Sequence, residues 1–156
     1  MCVTDLFLVL HILGAIIAVG FSVSYGIWTA LGDATGATER AFALRSISWI
    51  DRRLTTPAFV LQFFTGAILV WLLGTALLDQ AWLRVSIALY ITLTVLAIAK
   101  FAPLHRRQLA LAEQMAVGRT PDEDYAAVAR RARIWGVVVV LITLTIVVLM
   151  VTKPGV

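Results

Sequence analysis

Residues 6–32 read LFLVLHILGAIIAVGFSVSYGIWTALG, and this run is long enough to cross a bilayer as one helix. Its one ionisable side chain of functional interest is that of His11. Small residues recur at every fourth position, and on a helix this spacing predicts a smooth ridge next to the histidine. The ridge comprises Gly14, Ala18, Ser22 and Gly26. We expect another helix or a flat ligand to dock on this face.

The composition of the whole chain indicates a membrane protein. Of its 156 residues 61% are hydrophobic and 14% are charged, whereas roughly a quarter are charged in a soluble domain. The formal net charge of +4 does not indicate a nucleic-acid partner, because the basic residues flank apolar spans. Cys2 is the only cysteine, so no disulfide and no cysteine-based metal site can form within one chain.

Four long apolar runs predict an all-α fold, a bundle of four transmembrane helices. The predicted spans cover residues 6–31, 57–78, 82–104 and 134–152. The third span is the least regular, because Arg84 and Lys100 lie near its two ends. Each of these side chains must extend toward its own interface.

The placement of arginine predicts the topology. Arginines are concentrated in the loop between the first and second spans and in the loop between the third and fourth spans. On the other side of the membrane only Arg84 and Lys153 are basic. By the positive-inside rule, the two loops face the cytoplasm and both termini lie outside it. We expect a multi-pass protein of the bacterial inner membrane, with anionic lipids bound at the arginine-rich loops.

Both cytoplasmic loops are predicted to be helical. In the first loop, Thr38 is placed to cap a helix whose apolar face would end at Leu54. In the second loop, at about residues 105–133, we expect a helical hairpin. Its first helix continues past Pro103 with a kink and stops at Gly118, and the sequence TPDE at 120–123 predicts a capping box for the last helix.

An isolated histidine inside a membrane span is a candidate functional site. A neutral imidazole ligates haem iron, binds another metal or relays a proton. Alternatively, His11 hydrogen bonds to a neighbouring helix and contributes only to packing; Thr75, Ser86 and Thr145 lie at a similar depth as candidate partners. The second histidine, His105, lies about a membrane thickness away among arginines, so the two cannot ligate one metal. A bis-histidine haem would therefore need two copies of His11, as in a homodimer or larger membrane complex; otherwise the axial ligand is of another type.

Three further positions could belong to a cofactor site around His11. Gly14 and Ala18 leave room for a porphyrin plane, although small residues more often serve plain helix packing. Tyr25 lies near the same face, where its hydroxyl could bond a haem propionate or a quinone, or belong to an interfacial aromatic belt. The sequence contains no phosphate-binding loop, catalytic triad or paired catalytic carboxylates, so catalytic residues stay unassigned.

Short motifs along nearly the whole chain carry a resemblance to a known family. They are LHILG at 10–14, AVG at 18–20, DRRL at 51–54, Pro57, TG at 65–66, AWL at 81–83 and MVTKPG at 150–155. With these motifs the chain resembles an uncharacterised bacterial family of four-helix integral membrane proteins that is distantly similar to HemJ and CopD.

HemJ-type proteins are haem-binding membrane enzymes that oxidise protoporphyrinogen, so the resemblance implies haem b with His11 as its axial ligand. The functional lysine of that family falls near Ser86 here, which leaves the catalytic surroundings incomplete. CopD-like proteins are associated with copper uptake, but this chain lacks the methionine and histidine richness that binds copper. Two functions remain: a haem- or porphyrin-binding redox protein using His11, or a non-enzymatic accessory or assembly subunit in which His11 is a packing residue.

Overall fold

The computed structural model describes residues 2–120 and 124–154, and these residues form helices without any strand. In chain order the helices are α1 (Val3–Thr35), α2 (Ala37–Ile50), α3 (Thr56–Leu73), α4 (Ala81–Leu96), α5 (Ala102–Ala116) and α6 (Tyr125–Thr152). A 3₁₀ turn at Thr75–Asp79 joins α3 to α4. Four helical segments are long and apolar enough to cross a membrane, which confirms the predicted all-α four-helix architecture.

Two of the four long segments are built from paired helices joined by a π-helical turn. The turn at Asp51–Thr55 joins α2 to α3, and the turn at Ala97–Phe101 joins α4 to α5. Each turn ends two residues before a proline, Pro57 in one case and Pro103 in the other. Proline has no N–H to donate, and its ring collides with the carbonyl four residues earlier. A π turn is wider than an α turn, so the helix can accommodate the missing hydrogen bond and the proline ring there and continue.

The first π turn changes which side chains face the protein interior. Ala43 and Ile47 are buried, as the periodicity of the loop predicts. Leu54, expected on the same face, is exposed, and Thr55 is buried in its place. The prediction for Leu54 was wrong because a π turn holds more residues than an α turn, so the buried face moves along by one position. The predicted cap at Thr38 was also wrong, since Gly36 occupies the N-cap position and no side chain caps this end.

Within the bundle, α1 and α6 form the central pair. α1 packs against α3 and α6, and α6 packs against α4. Among the described residues, no Cα atom of α3 lies within 8 Å of one in α4. Side chains bridge this wider gap: the Tyr90 hydroxyl donates to the Phe59 carbonyl over 2.7 Å, and its ring stacks on Phe63.

The packed face of α1 follows a course different from the predicted ridge. Gly14 and Ala18 are buried, as are Tyr25 and Gly32 further along the helix, whereas Gly26 points outward. The ridge prediction fails at Gly26 because a step of four residues turns about 40° beyond a full turn of an α-helix. After three such steps, from Gly14 to Gly26, the residue no longer lies on the packed face. Residues seven apart, such as Ala18, Tyr25 and Gly32, lie almost above one another and remain on that face.

α2 and α5 lie at one end of the bundle, which we call the basic end because it carries most of the arginines. There α2 packs against α1 and α5, and α5 packs against α6. The corner between α1 and α2 is so tight that a Cβ atom at Gly32 would lie 2.9 Å from that of Ala43. This close approach requires glycine at position 32.

The helical hairpin expected near residues 105–133 is present in the described part of the chain. Its first helix ends at Ala116, and Gly118 follows with a φ of 75°, as predicted for a stop signal. Asp124 caps α6 by accepting a hydrogen bond from the N–H of Ala126 over 2.9 Å. The capping box predicted at 120–123 falls mostly outside the described residues. At the opposite end of the bundle, the Lys153 ammonium lies 5.8 Å from the ring centre of Trp82.

Candidate functional site

The imidazole of His11 lies in the interface between α1 and α3. Its Nδ1 is 2.8 Å from the hydroxyl oxygen of Thr65, which is almost fully buried. The ring also rests on Gly66, where a Cβ atom would lie 3.2 Å from Cε1 of His11. The Thr-Gly pair therefore provides both a hydrogen-bond partner and the space that the imidazole occupies.

The hydroxyl of Thr65 indicates which nitrogen of His11 carries the proton. That hydroxyl lies 2.7 Å from the Leu61 carbonyl one turn earlier, which is the usual bond of a threonine inside a helix. A hydroxyl has one hydrogen to donate, so Thr65 accepts from His11. Nδ1 then carries the proton, and Nε2 keeps a free lone pair. In the described residues Nε2 has no hydrogen-bond partner of its own.

Gln62 extends the polar surroundings of His11 along α3. Its side chain lies against Gly14, at 3.6 Å from the position that a Cβ atom would take there. The amide oxygen of Gln62 is buried and accepts no hydrogen bond from any described residue. A buried acceptor without a donor is costly inside a membrane protein. His11, Thr65 and Gln62 thus form a polar group, which we call the His11 group, in an otherwise apolar helix interface.

The other residues predicted around His11 are distributed over the structure. Gly14 faces α3, where Gln62 and the Ala58 carbonyl lie next to it, and Ala18 is buried. The Tyr25 hydroxyl is 2.6 Å from that of Thr55 in the first π turn, and both residues are buried. Ser86 is buried in α4 and donates to the Trp82 carbonyl over 2.8 Å. Among the described residues, no Cα atom of α4 lies within 8 Å of one in α1, so Ser86 is not brought next to His11.

The second histidine has a structural setting at the basic end. Nε2 of His105 is 2.9 Å from the hydroxyl of Ser48 in α2, and its ring stacks on Phe101. This contact joins α5 to α2. The ring of His105 thus turns toward α2, while Arg106 and Arg107, which follow it in α5, are exposed.

A polar cluster at the basic end was missed in the sequence. Arg40 donates from Nε to the Asp33 carboxylate over 2.9 Å and lies over the ring of Tyr125. The Tyr125 hydroxyl donates to the same carboxylate over 2.8 Å and accepts from Gln108 over 3.1 Å. These four residues, which we call the Asp33 cluster, join α1, α2, α5 and α6. An acidic residue at the end of an apolar span, among arginines, was the signal that could have revealed it.

The donor set around His11 limits what the group can bind. Within the described ranges, no three His, Cys, Asp or Glu side chains come together as a set that could hold a metal ion. His11 is therefore a single donor. One imidazole with a free Nε2 suits an axial position on a cofactor that brings its own remaining ligands, as haem does.

The fold and the placement of these residues define an integral membrane protein with four membrane-crossing segments. Residues 5–154 match the family described as a predicted integral membrane protein (DUF2269). Because this match covers nearly the whole chain, the protein belongs to that family. No curated protein and no solved structure matches the chain. The more distant resemblance to HemJ and CopD stays a prediction.

Proposed function

We propose that this protein resides in the bacterial inner membrane with its basic end in the cytoplasm and both termini outside. The distribution of arginine supports this orientation, because the helices that carry most of it, α2, α5 and the start of α6, lie at one end. The charged surface of this end favours anionic lipids of the cytoplasmic leaflet.

The single native cysteine tests the orientation directly. Cys2 is exposed at the start of α1. A membrane-impermeant maleimide added to intact spheroplasts should label it. As a control, Arg119→Cys in a Cys2→Ser background places the thiol at the basic end, and it should react only after permeabilisation. The opposite pattern would overturn the proposed orientation.

We further propose that the protein is a haem-binding membrane protein in which Nε2 of His11 is an axial ligand. The observation that carries this proposal is the hydrogen-bonded chain from Nδ1 of His11 through Thr65 to the Leu61 carbonyl. Ligating histidines commonly donate their other N–H to a fixed acceptor, which sets the tautomer and the ring orientation. Here the Thr65 hydroxyl would be that acceptor.

The residues fit a haem in one respect and not in another. The lone pair of Nε2 and the unpartnered amide oxygen of Gln62 suit a ligand in the interface. Gly14 does not suit the predicted porphyrin wall, because α3 covers it, and Ala18 is already buried. The Tyr25 hydroxyl is already held by Thr55. A second histidine ligand would come from another copy of the chain, because His105 is bound at the basic end.

Bound haem b would supply one-electron redox chemistry, and the protein would supply ligation, orientation and an apolar setting. Thr65 would hold the imidazole in position, and the surrounding apolar side chains of α1 and α3 would exclude water. The described contacts of the His11 imidazole are with Thr65 and Gly66, so no catalytic step is assigned.

The absorbance of the purified protein tests this proposal. Protein from haem-replete cells should show a Soret band that is lost in His11→Ala. The matched control is His105→Ala, which removes the other histidine and should keep the band. A colourless wild-type protein that stays folded and does not take up added haem would overturn the proposal.

A specific observation also favours the alternative, an accessory or assembly subunit without a cofactor. The His11–Thr65 bond and the contact of Gly14 with Gln62 join α1 to α3. In this function His11 stabilises the bundle, and its replacement lowers stability without any spectral change. Unfolding measurements on the same His11→Ala and His105→Ala proteins therefore separate the two functions.

A further inference from the structure

The basic end contains a cavity that the His11 group does not explain. It has a volume of about 360 Å³, which is within the range of roughly 300–1,000 Å³ typical of small-molecule sites. Asp33 and Arg40 lie on one side, and Tyr125, Arg130 and Arg133 lie on the other. The cavity is thus an open depression between the corner of α1 with α2 and the first turns of α6.

The side chains that line the cavity carry more positive than negative charge. Asp33 is the one carboxylate among the described residues of the lining. Arg40 binds the carboxylate through Nε and the backbone carbonyl of Asp33 through a second contact over 3.2 Å. This pair is neutral and fixed. Arg130 and Arg133, one helical turn apart on α6, add two further positive charges to the lining.

The guanidinium groups of α6 retain donors for a ligand. Arg133 approaches Asp33 only to 3.7 Å, a separation too long for a hydrogen bond. Arg130 makes no hydrogen bond or ion pair with any described residue. Both side chains are exposed enough to turn toward a ligand in the cavity. Arginine pairs bind phosphate oxygens in a forked geometry, which a solvated surface lysine does not reproduce.

The depth of the cavity indicates where its ligand would come from. The apolar part of α6 begins at Ile134, directly after Arg133. Arg133 and Arg130 therefore lie within about one turn of the hydrocarbon boundary. Basic pockets at this level between membrane helices bind phosphate-bearing lipid head groups.

We propose that this cavity is a binding site for a phosphate group, held by Arg130 and Arg133 against the fixed Asp33–Arg40 pair. A lipid head group and a free phosphate share the chemistry, and the position at the interface favours the head group. The site is independent of His11, so its failure and the failure of the haem proposal are distinguishable.

The test uses the full chain in nanodiscs of phosphatidylcholine that contain phosphatidic acid, with retained lipid measured by native mass spectrometry. The variant is Arg130→Gln with Arg133→Gln. The control is Arg119→Gln with Arg131→Gln, which removes the same charge at the same end from residues that do not line the cavity. Phosphatidic acid retention should fall at least tenfold in the variant and less than twofold in the control.

A second arm measures inorganic phosphate binding to the detergent-solubilised protein by calorimetry. Tight binding there, with the same dependence on Arg130 and Arg133, would assign the site to a soluble phosphate compound. Ala126→Trp fills the cavity without removing a charge and should weaken whichever ligand binds, so misfolding of the arginine variant does not obscure the result. Equal losses in variant and control, or no binding of either probe to the wild-type protein, would overturn the proposal.

Discussion

Nδ1 of His11 lies 2.8 Å from the hydroxyl oxygen of Thr65, and this contact joins α1 to α3 inside the membrane-crossing part of the bundle. The Thr65 hydroxyl donates to the Leu61 carbonyl of its own helix, so its position is fixed and it orients the imidazole of His11. Among the described residues of this interface, His11 is the only side chain with a nitrogen lone pair that could ligate a metal. Its free Nε2 follows from the contact with Thr65.

Replacing Thr65 should affect both stability and the histidine. Thr65→Val removes the acceptor and leaves the N–H of His11 buried without a partner. We expect the free energy of unfolding to fall by about 0.5–2 kcal/mol, the range found for such bonds in membrane proteins. Thr65→Ser keeps the hydroxyl and should lose less. Unfolding in mixed micelles measures the difference, and equal losses in the two variants would contradict the role given to the hydroxyl.

Gly66 provides the space for the imidazole, and a side chain there should displace it. Gly66→Val places new atoms against Cε1 of His11, where even a Cβ would lie at 3.2 Å. Overpacking of this kind costs about 1–3 kcal/mol. The matched control is Gly20→Val, because no atom lies within 4 Å of a Cβ at that helical position. If both substitutions destabilise the protein equally, the imidazole is not held by the glycine.

The first π turn should be stabilised by the bond between Tyr25 and Thr55. A double-mutant cycle with Tyr25→Phe and Thr55→Val should give a coupling energy of about 0.5–1.5 kcal/mol. Tyr90→Phe combined with Thr55→Val is the control, since Tyr90 bonds to the Phe59 carbonyl. That control cycle should show no coupling. Coupling of the same size in both cycles would mean that the π turn is not fixed by Tyr25.

The Asp33 cluster should contribute more to stability than an exposed ion pair at the same end. Asp33→Asn leaves Arg40, whose side chain is 18% exposed, without its carboxylate. We expect a loss of about 2 kcal/mol, below that of a fully buried pair because water screens part of the charge. Glu113→Gln breaks the exposed pair with Arg45, whose side chain is 65% exposed, and should cost less than about 0.5 kcal/mol. Chemical unfolding of both variants compares them.

Hydropathy predicted the four-helix architecture because apolar runs of this length leave few alternatives in a bilayer. It did not reveal that α2 and α3 form one continuous helical rod. Proline at position 57 predicts the start of a new helix, whereas the π turn before it lets one helix continue from α2 into α3. Because of the same turn, Thr55 is buried and Leu54 is exposed, which no regular periodicity predicts.

The candidate site was predicted only in part, for a similar reason. His11 was evident from the chain, as was the small surface at Gly14 and Ala18. The candidate partners Thr75, Ser86 and Thr145 were wrong, because the contact of His11 with Thr65 depends on how α1 turns against α3. Three-dimensional packing likewise separated Ser86 from His11 and brought Asp33, Arg40 and Tyr125 together.

Chemical rescue tests whether Nε2 of His11 ligates haem. His11→Gly should abolish the Soret band, and added imidazole should restore it by occupying the space left beside Thr65 and Gly66. His105→Gly should keep the band with or without imidazole. We expect rescue at His11 alone; a His11→Gly protein that binds haem with the wild-type spectrum in the absence of imidazole would show that His11 is not the ligand.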